Sequence, residues 1–262
     1  MTISFRWVDC WSPSEESEAL RSLIGTTQMS QIVFYALGAW DELPSLKTPF
    51  ALELETADDE ARREFLLLAP EVGFTGAERR ALGRAQSLLT ATLSFEGEDA
   101  QAAINGAWLL RALFQEGAVG IIYEGAEKLF APAIAAEIEP TDKICLLHLY
   151  LSLWGEPPQD GLPGRVVAEG LEAFGLPDVW VLTGQREESM LREAAQSVVF
   201  AAAARLWIEG EHFSPGDPFQ ASESKPLFLC CAPPELFPVE ERMRNPQGVL
   251  CFIRAAETEG SP

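Results

Sequence analysis

The sequence predicts an α+β protein, a mixed, largely antiparallel sheet packed with several helices. Three observations carry this. Period-two segments such as Phe50-Ala-Leu-Glu-Leu-Glu-Thr56 read as half-buried strands. Capped segments with apolar residues every three or four positions, such as residues 99–116, read as helices. Several strands follow one another too closely for helical crossovers, which favours antiparallel neighbours. At 262 residues the chain holds one large domain or two small ones. We read a single α+β domain over 1–262, in two structural halves that break near 131–143 or 155–161.

Taken in order, residues 3–8 form a first strand. Ser12-Pro-Ser-Glu-Glu16 opens a helix to about 24, with serine at the cap and acids in the first turn. Residues 31–37 are β-rich. Residues 50–56 and 63–69 read as strands around the acidic Ala57-Asp-Asp-Glu60, an antiparallel pair unless a short helix intervenes. Thr75-Gly-Ala-Glu78 is a capping box that starts a helix to about 86. A strand at 88–95 follows. Asp99 then caps a long helix whose apolar face is Ile104, Ala107, Trp108, Leu110, Leu113 and Phe114, stopped by Gly117. Residues 118–123 are β-rich, and 125–130 make one or two helical turns.

Residues 144–154 are the strongest strand candidate. Cys145, Leu147, Leu149, Leu151 and Leu153 would line one face, with His148 and Tyr150 on the other, as in a covered central strand. A helix is the alternative for so long an apolar run. A loop at 155–161, a helix at 164–174 ended by Gly175, a strand at 178–182 and a long Ala-rich helix at 187–209 follow. After a turn-rich loop at 212–220, strands at 226–232 and 248–254 flank a short helix at 239–243.

Hydrophobic residues make up 47% and charged residues 23%, an ordinary globular balance. Lys and Arg total 19 against 40 Asp and Glu, a net charge of −21. The excess is even: residues 1–131 carry 10 basic and 20 acidic groups, and the rest carry 9 and 20. Such a surface repels nucleic acid and anionic lipid and steers encounter with a basic protein. The cysteines, Cys10, Cys145, Cys230, Cys231 and Cys251, are odd in number and lack a C-x-x-C spacing. They read as free thiols packed in the core, in a reducing compartment. Cys230 and Cys231 would face opposite sides of a strand. No signal peptide and no run of about 18 apolar residues is present, so a cytoplasmic location without membrane contact is expected.

Chemistry-bearing patterns are sparse. His148 and His212 are the two histidines, too few for the usual zinc site. His212 has Glu209, Glu211, Ser214 and Asp217 close by in sequence, yet triad members usually come from distant segments. Both histidines are weak catalytic candidates. The paired carboxylates Glu53 and Glu55 read as solvated. No G-x-x-x-x-G-K-[ST] or G-x-G-x-x-G loop occurs, and no cofactor is expected. Of seven tryptophans, Trp108, Trp180 and Trp207 read as core. Trp11 and Trp40 flank polar turns, either as loop anchors or as exposed hot spots for a partner. With Asp217 they are the binding candidates.

Three segments carry a family resemblance: Gly117-Ala-Val-Gly-Ile-Ile-Tyr-Glu-Gly-Ala126, Val167-Ala-Glu-Gly-Leu-Glu-Ala-Phe-Gly-Leu-Pro-Asp-Val-Trp-Val181, and Arg205-Leu-Trp-Ile-Glu-Gly-Glu-His-Phe-Ser-Pro-Gly-Asp217. Over roughly residues 75–220 the chain resembles a bacterial family, domain of unknown function 4261. The family's "GL..FG..E" segment is matched by Gly170-Leu171 and Phe174-Gly175, with Asp178 near its acidic position. Its "dGd" turn corresponds to Pro215-Gly216-Asp217. These positions report fold, and the family brings no assigned activity. Its members resemble accessory and immunity-like genes of bacterial conflict and secretion loci. The combined expectation is a non-enzymatic binding protein that holds a basic protein partner, for example by neutralising a toxin or effector. A hydrolase of unrecognised type and a structural adaptor subunit are the alternatives.

Overall fold

The computed structural model describes residues 29–70, 72–96, 99–158, 162–183, 190–222, 227–231, 233, 237, 239–242 and 244–254. The strand expected at 3–8, the helix from Ser12, Cys10 and Trp11 lie outside the described residues.

The strands divide between two sheets rather than one. In the first, β1 (Met29–Gly38), β2 (Ala51–Thr56), β3 (Ser87–Glu96), β4 (Gly120–Tyr123) and β5 (Lys128–Phe130) run in the order β2-β3-β1-β4-β5, every pair antiparallel. The period-two rule decides what each face of β1 touches. Ile32, Phe34 and Ala36 enter the main core, while Tyr35 and Leu37 pack on the opposite face. Helix α1 (Asp59–Leu68) and helix α2 (Gly76–Leu82) cover that opposite face through Phe65 and Leu82. The main-core face is covered by helix α3 (Ala100–Gln115) through Ala103, Ala107, Leu110 and Leu113.

The expected strand at 63–69 is therefore part of α1. Asp58 decides this: its carboxylate accepts from the amide of Ala61 at 2.8 Å, and Asp59 and Glu60 occupy the positive end of the helix. The acidic tetrapeptide is a helix start. The capping box at Thr75 and Glu78 is present as expected, as is the Asp99 cap of α3.

Helix α4 (Lys143–Tyr150) replaces the expected strand at 144–154, and β6 (Ser152–Glu156) follows it. A mostly apolar run fits either period, so the cap settles the matter. Asp142 accepts from Ile144 N at 2.8 Å and from Cys145 N at 2.9 Å. At the other end Lys128 Nζ donates to the carbonyls of His148 (2.6 Å) and Leu151 (3.0 Å), satisfying groups the helix leaves open.

The second sheet has the order β6-β7-β8-β11-β10-β9, with β7 (Gly164–Glu169), β8 (Asp178–Thr183), β9 (Pro218–Phe219), β10 (Phe228–Cys231) and β11 (Val249–Arg254). Its pairs are antiparallel except β8 with β11, which is parallel. The helix expected at 164–174 is β7 followed by a 3-10 turn, Leu171–Phe174. Every residue of β7 is buried, which erases the alternation that marks a strand. Gly170 breaks the chain direction with φ +99°. Likewise 125–130 is a 3-10 turn, Glu124–Ala126, running into β5. Helix α5 (Met190–Ala204) continues into a π-helical turn, Arg205–Glu209, and helix α6 (Val239–Arg242) lies between β10 and β11.

A line of aromatic rings joins the sheets: Phe34–Tyr123 (5.7 Å), Tyr123–Tyr150 (5.1 Å), Tyr150–Phe174 (5.5 Å) and Phe174–Trp207 (4.2 Å). Their buried hydroxyls are used, Tyr150 donating to Ala103 O at 2.8 Å and Tyr123 to Gly170 O at 3.3 Å. Trp180 and Trp207 are buried as expected, but Trp108 is 51% exposed with Arg111 over its ring. Among the described residues no helix is long and apolar enough to cross a membrane.

Candidate functional site

A cleft of about 670 Å³ opens where the two sheets meet. Strand β1 supplies Gln31, Val33 and Tyr35, and α1 supplies Glu64 and Leu67. Glu124 and Glu127 come from the turn after β4, Glu172 from the 3-10 turn after β7, and Arg244 from the segment before β11. Each arrives for a local reason. Tyr35 lies on the α1 face of β1 by its odd register. Glu127 sits at φ +46°, the one described non-glycine residue with positive φ, and ends the 3-10 turn. A left-handed backbone at a non-glycine residue is worth notice where side chains converge.

The far wall is fixed by Asp178. Its Oδ1 accepts from Gly170 N and Leu171 N, each at 3.1 Å, so it caps the turn that carries Glu172. A Cβ on Gly170 would stand 2.2 Å from Tyr150 O, so only glycine fits there. Gly175, at φ +68°, closes the same turn. The Gly-Leu and Phe-Gly positions thus build a backbone cradle for a buried carboxyl, and their chemistry is structural. Asn245 steadies the wall by donating to Leu176 O at 2.9 Å.

The charged lining is mostly acidic: Glu64, Glu124, Glu127 and Glu172 accompany Arg244, with the buried Asp178 carboxyl behind them. Arg244 is already engaged, with Glu127 at 2.5 Å and Glu169 at 3.5 Å. Burial raises the Glu172 carboxyl above its usual range, and the nearby Glu124 charge adds to this against the hydrogen bond from Gln31 N. Burial likewise raises Glu169. Tyr35 is raised by burial and then by Glu124, to which its hydroxyl donates at 3.2 Å. Burial pushes the Asp178 carboxyl up to about 8. These shifts share one main cause, burial that disfavours the charged form. The rim adds an apolar contact, Leu67, which is 68% exposed.

The residues singled out by sequence lie elsewhere. His148 is exposed on α4 and stacks on Phe200 at 5.0 Å. His212 is exposed in the loop after the π-helical turn. Its acidic neighbours are occupied: Glu211 faces Arg205 at 3.7 Å, and Asp217 accepts from Ser214 N at 2.7 Å to shape the turn. Trp40 is a partly buried anchor, its indole donating to Glu116 O at 2.8 Å at the end of α3. Glu53 and Glu55 are exposed on the edge strand β2. Among the described residues no group of three His, Cys, Asp or Glu is placed to hold a metal ion. The cleft residues run from Gln31 to Asn245 with no fixed spacing, so no linear motif marks them. The one local signal is Asp178 a few residues after Gly170 and Gly175.

No protein-family model, curated protein or solved structure matches the chain.

Proposed function

We propose that this protein is a non-enzymatic, cytoplasmic binding protein whose acidic cleft receives a basic segment of a protein partner. The observation that supports this best is the cleft between the sheets, lined by Glu64, Glu124, Glu127 and Glu172, with its arginine already paired. A lysine or arginine entering there meets the carboxylates of Glu64, Glu124, Glu127 and Glu172, while its stem lies along Leu67. The net charge of −21 would speed encounter, and the cleft would set how long the complex lasts. Neutralising a basic toxin or effector is the concrete version, in keeping with the proposed kinship to domain of unknown function 4261.

The test is capture from source-cell lysate at roughly 0.15 M salt. Wild-type bait is compared with the Glu64→Gln/Glu124→Gln variant. One stoichiometric basic protein, held by wild type and lost by the variant, is the expected result. A partner held equally by both baits removes the cleft from the account.

A further inference from the structure

The outer face of the second sheet carries a feature independent of the cleft. Strands β10 and β11 are antiparallel, and their register sets Cys231 directly opposite Cys251. Directly opposed residues have Cα atoms roughly 4.5–5.5 Å apart, inside the range that a disulfide spans. Both side chains belong to one apolar cluster with Val167, Trp180 and Phe237. Their accessibility differs in a useful way: Cys251 is fully buried and Cys231 is half-buried. The neighbouring Cys251 thiol holds the Cys231 thiol below the usual thiol range. The other described cysteines are separated from this pair. Cys230 points through the sheet into the main core, and Cys145 accepts from Glu139 N at 3.2 Å on α4.

We infer that Cys231 and Cys251 form a reversible cross-strand disulfide on exposure to a peroxide. Cys231, as thiolate, attacks one peroxide oxygen; the O–O bond breaks, an S–O bond forms, and hydroxide leaves to take up a proton. Cys251 then attacks the Cys231 sulfenic sulfur; the S–O bond breaks and the second water leaves. Two thiols are oxidised to one disulfide and hydrogen peroxide is reduced to two waters. A dithiol reverses the step by exchange. The bond would staple together the strands that flank residues 232–250, the segment bearing Phe237 and the cleft residues Arg244 and Asn245.

The experiment treats the folded protein with stoichiometric hydrogen peroxide, alkylates free thiols and maps peptides by mass spectrometry. The expected product has lost two hydrogens, links the Cys231 and Cys251 peptides, and regains both thiols with dithiothreitol. In Cys251→Ser the link is absent and a sulfenic-acid probe such as dimedone labels Cys231. A disulfide involving Cys10, Cys145 or Cys230 instead overturns the proposal. So does a wild-type protein whose Cys231 and Cys251 stay alkylatable, or whose Cys231 passes to sulfinic acid with Cys251 still free.

Discussion

Asp178 Oδ1 lies 3.1 Å from the amide nitrogen of Gly170, which ties the first residue of β8 to the turn that follows β7. The same oxygen holds Leu171 N, so one buried carboxyl organises the wall that carries Glu172 into the cleft.

Protonation of this carboxyl links stability to pH. Its folded value is about 8 against an ordinary 3.8. Between these values the folded state binds more protons than the unfolded one. The Asp178 contribution is therefore complete below about pH 4 and is lost as pH rises through about 8. Glu169 and Glu172 are raised by burial and act in the same direction. Asp178→Asn keeps an accepting oxygen for the two amides. Urea denaturation at pH 5 and pH 8 will show wild type losing on the order of a few kcal/mol between them, and the variant losing clearly less.

Gly170 and Gly216 both have positive φ, yet their surroundings differ. At Gly170 a Cβ meets Tyr150 O at 2.2 Å, whereas at Gly216 nothing lies within 4 Å. Gly216→Ala will cost about 1 kcal/mol, the conformational term alone. Gly170→Ala will cost about 3 kcal/mol or more, because backbone must move. Equilibrium denaturation of the two variants separates these values.

Trp40 anchors a loop and does not line the acidic cleft. Trp40→Phe removes the indole donor to Glu116 O but leaves both backbone bonds with Ser87, each 2.8 Å. The loss will be about 1 kcal/mol of stability. Partner capture measured beside wild type will be unchanged.

The α+β class and most elements were legible because caps and period-two strands are local signals, as at Thr75–Glu78 and along β3. The misread elements differ in cause: at 63–69 the Asp58 cap reads in sequence as a turn, whereas α4 and β7 are largely buried along their length. In α4 the apolar residues fill most positions, and in β7 every residue is buried, Arg165 and Glu169 included, so periodicity carries little information. Asp142, two residues before Ile144, was the cap that distinguished helix from strand. Trp108 fell outside the core because Ala107 and Leu110 already fill the face of α3. The cleft was illegible because it is assembled by the meeting of two sheets. Tyr35 and Glu172 become neighbours only once that junction forms.

Recognition of a cation is proposed to rest on the cleft and not on the net charge of −21 alone. The most direct measurement is the affinity of a capped, fluorescein-labelled arginine-rich peptide for three proteins at one salt concentration. These are wild type, Glu64→Gln/Glu124→Gln in the cleft, and Glu53→Gln/Glu55→Gln on the edge strand β2. Both variants lose the same charge. The cleft variant will bind about tenfold more weakly, roughly 1.4 kcal/mol, and the edge variant will stay within about twofold of wild type. Equal weakening in both variants would assign recognition to the diffuse charge and contradict the account.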